Sequence, residues 1–491
     1  MLAGCQTRAA DSENTESTAI AQRKNVIVIL IDDMGYADLS IYNDSTFYET
    51  PNIQALADRG VTFTDAYSAS PVCSPSRAAL MTGLYPTRLR ATEWFHPPGR
   101  KTNVERFAPA PFINNLPHET FTLAEAFRQD GYATLFLGKW HLGNDESHWP
   151  EHHGFDVNIG GHNFGRPRPG YFAPYDNPRL KTGPDGEYLT NRLTTEAIKL
   201  AKQHSASQQP YFMMLSYYSV HTPLQAPEET IAKYRARQVD LTRDQEFGQE
   251  YQHRLINRPR RVRVVQNHPV YAAMVEELDK NIGRLIDYLD AHGELENTII
   301  LLTSDNGGLS TAERLPTSNL PLRTGKGWLY EGGIRVPFIL YADGLEANGK
   351  TVADPVMSID IMPTLLGMSG VSIPQNHSLD GINVAASLSG DGLPERPLFF
   401  HYPHYSNQGG FPGAAVRMGQ YKLLQNFEDG SIQLYDLEHD IGERTDLSQR
   451  QPGIARNLSD QLRNWYDDTG AQFLQPSPTR PEAEQPWRPS R

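Results

Sequence analysis

Four stretches of the chain share one pattern: an apolar, largely β-branched run that stops abruptly at polar or charged residues. Val26 to Ile31 is the first, with Asp32 and Asp33 directly after it. In "YATLFLGKWHLG" the run is followed by Lys139 and His141, and in "PYFMMLSYYSVHTP" by His221. Thr298 to Thr303 leads into Asp305, Asn306 and two glycines. Runs that are apolar at nearly every position read as strands buried on both faces, as in parallel sheets. In open α/β sheets, ligand sites form just past the carboxyl ends of such strands. Four ends of this kind in one chain predict a single convergent site.

Helical spacing fills the intervals. Tyr271, Met274, Val275, Leu278, Ile282, Leu285, Ile286 and Leu289 make one apolar stripe that Gly293 ends. That stripe reads as core packing. "PNIQALADRG" reads as a helix with Pro51 near its start and Gly60 past its end. The polar, arginine-rich segment 235–263 reads as a solvated surface insertion. Beyond about residue 385 the texture changes to short strands, with Glu428-Asp429-Gly430 as a hairpin turn, then a helix over Pro452 to Asp468. The fold class that follows is α/β: a large central mixed, mostly parallel sheet flanked by helices, with a smaller C-terminal antiparallel sheet plus helix. The expected divisions are a tether over 1–24, a catalytic domain over 25–385, a smaller α+β domain over 386–474, and a loosely ordered Pro-rich tail over 475–491.

At 491 residues the chain is long enough for more than one domain. Its formal net charge of -13 argues against nucleic acid as a partner, while an anionic substrate requires a local cationic pocket. No apolar run is long enough to span a bilayer. "MLAGCQ" resembles a bacterial lipobox, which makes Cys5 a lipidation candidate and predicts an exported, periplasmic or surface lipoprotein tethered to the membrane. No charged and apolar signal regions stand upstream of it, so either the start is truncated or the match is chance.

The strand-end residues define a chemistry. Asp32, Asp33, Asp305 and Asn306 are hard oxygen ligands, suited to calcium or magnesium rather than zinc. Lys139, His141, His221 and Lys326 add positive charge and proton donors, as a pocket for an oxyanion ester requires. Cys73 is the candidate nucleophile. "CSPSRAALMTG" sets it at a helix start, with Arg77 one turn on, where dipole and guanidinium both favour an anion. A thiolate is a soft ligand for a hard metal, so conversion to an oxygen nucleophile is expected.

Cys73-x-Pro75-x-Arg77-x-x-Leu80-x-Thr82-Gly83, with the paired aspartates, "GKWHLG", "HTP" and "SDNGG" in order, resembles the formylglycine-dependent (type I) sulfatases of the alkaline phosphatase superfamily. The likeness runs from Asn25 to about Leu447. It implies that a formylglycine-generating maturation enzyme oxidises Cys73 to an aldehyde, which hydrates to a gem-diol held by one calcium ion. One diol oxygen attacks sulfur, and Cys73 is thereby also a metal ligand. His221 protonates the departing sugar oxygen, and His141 helps the second hydroxyl expel sulfate. Lys139 and Lys326 hold sulfate oxygens, and Arg77 stabilises the diol and metal shell.

"SNLPLRTGKGWLYEGGIRVP" and "HYPHY" are similar in texture to bacterial polysaccharide sulfatases. The implied substrate is a sulfated oligosaccharide or polysaccharide, with galactose-type or ulvan-like algal units favoured over glycosaminoglycans. Candidate substrate contacts are His162, Arg166, Arg323, His401 and His404, while His152 and His153 read as loop packing. Two rival readings are a phosphoester or phosphonate hydrolase of the same superfamily and an inactive glycan-binding lipoprotein. The cysteine at the nucleophile position and the full catalytic set weigh against them.

Overall fold

The computed structural model describes residues 23–96, 106–250, 259–375, 377–477 and 485–489. Cys5 and most of the expected tether lie outside them. In chain order the central unit runs β1 (Asn25–Ile31), α1 (Pro51–Arg59), β2 (Val61–Phe63), α2 (Cys73–Thr82), β3 (Ala133–Gly138) and β4 (Val157–Ile159). It continues with α3 (Leu189–Ser207), β5 (Tyr211–Ser216), α4 (Pro269–Ala291), β6 (Thr298–Ser304), β7 (Phe338–Tyr341) and β8 (Lys350–Val352).

The eight strands form one sheet in the order β8-β2-β7-β6-β1-β5-β3-β4. Only β7 runs antiparallel to its neighbours. The four strands read from the sequence are the adjacent set β6-β1-β5-β3. Their ends are level: Gly138 pairs with Ser216, Ser216 with Leu30, and Leu30 with Thr303. The register therefore brings all four polar ends to one edge.

Successive side chains alternate across the sheet. In β1, Ile27, Ile29 and Ile31 pack with residues of α1, α3 and α4, while Val26, Val28 and Leu30 pack with Ala78, Leu80 and Met81 of α2. The sheet is thus buried on both faces, which is why these runs are continuously apolar. Replacing a buried leucine here by alanine costs about 2–5 kcal/mol. α4 starts at Pro269, its first amides partly satisfied by His268 Nδ1 accepting from Tyr271 N at 3.3 Å.

A second sheet, wholly antiparallel, follows: β9 (Leu398–Tyr402), β10 (Gly413–Met418), β11 (Tyr421–Asn426) and β12 (Ile432–Asp436). Glu428-Asp429-Gly430 connects the last two, with Gly430 at φ 77°. α5 (Pro452–Thr469) lays Leu458, Leu462 and Trp465 into the apolar core shared with this sheet.

Two expectations need correction. In the described part of the tail, Gln475 bridges Ala108 through backbone bonds of 2.8 and 2.9 Å, and Trp487 stacks on Phe427. Aromatic burial anchors a segment that its proline content had marked as loose. The insertion 235–263 is likewise more than a solvated surface. Phe247–Glu250 and Arg260–Arg263 pair as a hairpin, and Arg263 is buried with its guanidinium bound to Leu315 O and Asn267 Oδ1.

Candidate active site

α2 delivers the centre. All ten of its residues are buried, Cys73 is the first of them, and Gly83 ends the helix at φ 68°. Cys73 Sγ lies 3.6 Å from Asp32 Oδ1, 4.0 Å from Asp33 Oδ1 and 3.4 Å from Lys326 Nζ. One turn on, Arg77 Nε donates to Asp305 Oδ2 at 2.8 Å, and its Nη1 donates to Lys139 O and Ser216 Oγ. The guanidinium ties the ends of β3, β5 and β6 to the helix.

The remaining charges interlock. Lys139 Nζ sits 2.7 Å from both oxygens of Asp32, and Lys326 Nζ is 2.7 and 2.8 Å from those of Asp33. Asn306 Nδ2 donates to Asp33 Oδ1 at 2.8 Å. Asp33 occupies the left-handed backbone region at φ 65°, as does His141 at φ 59°. Such conformations are costly for residues with a side chain and concentrate at functional sites.

Burial sets the protonation of this cluster. It pushes the Asp32 carboxyl up to about 6, against the opposing pull of Lys139. At Asp33 the same burial is outweighed by Lys326, His221 and Lys139, so its pKa falls below the usual carboxylate range. Burial, helped by Asp305, pushes the Cys73 thiol up. Burial, with Lys139 and Arg77 adding to it, holds His141 well below the ordinary imidazole value.

Both histidines have a fixed tautomer. His221 Nδ1 lies 2.7 Å from Thr222 O, so it carries the proton and leaves Nε2, 3.7 Å from Asp33 Oδ2, toward the centre. His141 Nε2 donates to Phe95 O at 3.0 Å, which leaves Nδ1 as a buried, unpartnered acceptor.

A cation fits this set. Ligand atoms of Asp32, Asp33, Cys73 and Asp305 all lie within 4.8 Å of one another. Asn306 Oδ1 is buried without a hydrogen-bond partner among the described residues, an acceptor that only a cation or a donor could satisfy. Three carboxylates face three cations here, Arg77, Lys139 and Lys326. A dication would leave the site net positive, which favours an anionic ester.

A family profile described as "Sulfatase" matches residues 24–371. The chain belongs to the sulfatase family. A second profile, "N-sulphoglucosamine sulphohydrolase, C-terminal", matches residues 324–468 of this sulfatase. The dog N-acetylgalactosamine-6-sulfatase (Canis lupus familiaris) is 30% identical over 82% of this chain and 71% of that one. A protein named "Sulfatase" from Formosa agariphila is 29% identical, covering 90% and 89%. Among solved structures, Ps i-CgsB in complex with k-i-k-neocarrahexaose superposes with a TM-score of 0.73 at 29% identity, covering 90% and 93%. The PsFucS1 sulfatase from Pseudoalteromonas sp., 23% identical with a TM-score of 0.67 and 92% coverage of each chain, shares the fold.

The structure brings Asp32, Asp33, Cys73, Arg77, Lys139, His141, His221, Asp305, Asn306 and Lys326 of the sulfatase together. Of the five candidate substrate contacts, only Arg166 lines the cleft that opens over Cys73. His162 is buried between Trp149 and Phe164, and its carbonyl accepts from His141 N; it supports the His141 backbone from behind. Arg323 is spent on a two-point ion pair with Glu250 and stacks on Tyr330. His401 sits among Phe427, Trp465, Tyr466 and Phe473, and burial drops its pKa to about 3. His404 is buried against Phe112 with Nε2 2.9 Å from Thr92 Oγ1. His401 is core because β9 is buried along its whole length, and His404, two residues past the strand, is buried in the loop that follows it. His153 is buried beneath Trp140, while His152 is exposed.

The sequence reading missed Trp94, Asn163, Glu313 and Gln408, which also line the cleft. All four lie on loops without periodicity. Only Asn163 carried a signal, as a neighbour of Arg166 in "GGHNFGRPRPG".

Proposed function

We propose that this sulfatase removes O-sulfate from sulfated carbohydrate, with galactose-type algal units favoured, using Cys73 as formylglycine beside one calcium ion. The observation that carries the reading is the convergence of Cys73 Sγ on Asp32, Asp33 and Lys326 within 4.0 Å, beside the orphaned Asn306 Oδ1. A neighbour at 29% identity is described in complex with a neocarrahexaose, which supports a carbohydrate ester as substrate.

The roles follow from geometry. Asp32, Asp33, Asp305 and Asn306 would hold the cation, which would supply positive charge to the site. Oxidation of Cys73 by a maturation enzyme supplies an aldehyde whose hydrate is an oxygen nucleophile. Lys139 and Lys326 neutralise the sulfate oxygens. His221, its Nδ1–H held by Thr222 O, presents Nε2 to the cleft and acts as the imidazolium, whose Nε2 proton passes to the leaving sugar oxygen and leaves the ring neutral. His141, kept neutral by its surroundings, accepts a proton at Nδ1. Arg77 positions Asp305 and the start of the helix.

The test is co-expression with a formylglycine-generating enzyme, then sulfate release from defined carrageenan-type and glycosaminoglycan oligosaccharides in calcium. A phosphodiester serves as control. Release that disappears in Cys73→Ala is the expected result. Turnover of the phosphodiester alone, or silence across the panel after verified conversion of Cys73, would overturn the proposal.

A further inference from the structure

The cleft over Cys73 is lined by an acid as well as by bases. Glu313 projects into it on the His221 side: Thr222 Oγ1, next to that histidine, donates to Glu313 Oε2 at 3.1 Å. Gln408 Nε2 donates to the other oxygen at 2.8 Å. Both carboxylate oxygens are thereby oriented, and each keeps acceptor capacity toward the cleft. Lys326 and His221, opposing the effect of burial, hold the group below the ordinary glutamate range.

The loop that presents Glu313 is unusual. Glu313, Arg314 and Leu315 all have left-handed backbones, at φ 50°, 79° and 50°. Three such residues in a row, none of them glycine, persist only where surrounding contacts enforce them. The arginine-rich hairpin supplies those contacts. Arg260 Nε donates to Thr311 O at 2.8 Å, Arg263 Nε donates to Leu315 O, and Arg263 N donates to Ser310 O at 2.9 Å. Arg260 Nη2 also donates to Asn407 O at 2.6 Å, fixing a further stretch of the cleft wall.

The His141 side has the opposite charge. Gly165 packs on the His141 ring so closely that a Cβ there would fall 2.5 Å from Cε1. The next residue, Arg166, and then Arg168, stacked 3.7 Å over Phe164, line this side. Neither guanidinium has an ion pair among the described residues.

A lone carboxylate in a pocket for an anion opposes binding of that anion, unless it is used to accept from a donor on the substrate. We infer that Glu313 is a specificity residue: it accepts a hydrogen bond from a free hydroxyl of the sugar ring that bears the scissile sulfate, and it excludes a second sulfate or carboxylate at that hydroxyl. Additional anionic groups are received on the Arg166 and Arg168 side. The arginine-rich hairpin positions Glu313 for this task. The inference rests on the carbohydrate sulfatase reading and narrows its substrate class to rings with an uncharged position facing the His221 side.

The test is binding by calorimetry to full-length Cys73→Ala protein, which holds substrate without turnover, in calcium buffer. The probes are the monosulfates of galactose and N-acetylgalactosamine and their disulfates. The expected result is that at least one disulfate binds about tenfold more weakly than its parent monosulfate. Added Glu313→Gln brings that pair to within about twofold, and Glu313→Asp preserves the discrimination. Matching melting temperatures confirm that the variants fold. Mono-to-disulfate ratios that Glu313→Gln leaves unchanged would overturn the inference. Sulfate release by the matured wild-type protein, measured in parallel, separates the two readings. Release with unchanged ratios discards only the role of Glu313, whereas absence of both release and binding across the panel discards the carbohydrate reading and the inference together.

Discussion

Lys326 lies on a loop and Glu331 opens the short helix that follows it, yet they belong to buried charge clusters with opposite uses. Around Lys326, three carboxylates face three cations at the ends of the parallel strands. Around Glu331 the balance is the same. Lys422 Nζ sits 2.9 Å from both Glu331 and Glu443, Arg335 pairs with Glu331 at 3.2 Å, and Asp65 bridges Arg335 and Arg417. Tyr67 donates to Glu331 at 2.8 Å and accepts from Arg417 at 2.6 Å. Charge balance therefore does not separate the two. What separates them is access. The Lys326 cluster opens to the cleft, surrounds a potential nucleophile and leaves Asn306 Oδ1 without a partner. The Glu331 cluster joins the central unit to the antiparallel sheet and lines no part of that cleft; its own unpartnered oxygen, Glu443 Oε1, is closed in at ion-pair distance from Lys422, 2.9 Å. A buried network becomes a reactive site when it stops short of satisfying itself where a ligand can enter.

The sharpest way to break this comparison is to remove each cluster's centre. Cys73→Ala in the matured enzyme is expected to lower sulfate release by at least about 10³-fold without lowering the melting temperature, as befits a nucleophile. A fall confined to the melting temperature would reverse the assignment. Lys422→Met is expected to act the other way. It leaves Glu331 and Glu443 buried without their shared cation and costs about 3–5 kcal/mol in denaturant unfolding, with kcat of the folded fraction retained. A loss of turnover at unchanged stability would show that the second cluster also serves catalysis.

Calcium sharpens the contrast. At about a hundredfold excess over its Kd, a ligand of the folded state adds about 2.7 kcal/mol. That gain should vanish in Asp33→Asn and persist in Glu443→Gln, read by thermal unfolding with and without chelator. A gain that survives Asp33→Asn would place the cation elsewhere.

The smallest effect concerns His401, in the aromatic core between the second sheet and α5. Its folded pKa of about 3 lies below the unfolded value of 6.5, so the unfolded chain binds the extra proton between them. Its contribution to stability is full above 6.5 and is lost as pH falls toward 3. His401→Phe should flatten the stability profile in that window by up to one proton, about 1.4 kcal/mol per pH unit. An unchanged slope would place the imidazole in contact with water.

Which residues gather at the candidate centre was largely legible in the sequence because the pattern is written locally. Most of the centre's polar residues follow an apolar run or lie in the first turns of a helix, Lys326 in its glycine-flanked loop being the exception, and a parallel register brings level strand ends together. The cysteine signature and the paired aspartates needed no knowledge of distant contacts. The cleft wall was not legible for the converse reason. "HYPHY" offered two polar-looking histidines, but burial of β9 turned His401 into core, and packing against Phe112 and Thr92 did the same for His404. Arg323 was taken up by Glu250, a partner on the insertion. Glu313 reached the cleft through a backbone held by Arg260 and Arg263, some fifty residues earlier in the chain.

The sequence by itself determined the chemistry: which side chains meet at the strand ends, and the family they belong to. Hydrophobic periodicity and strand-end placement are local properties, and they survive in a bare string of letters. The tertiary structure alone decided which charges stay available. A histidine, arginine or glutamate becomes a contact or a staple according to the partner that long-range packing sets beside it, and burial makes that difference energetically decisive.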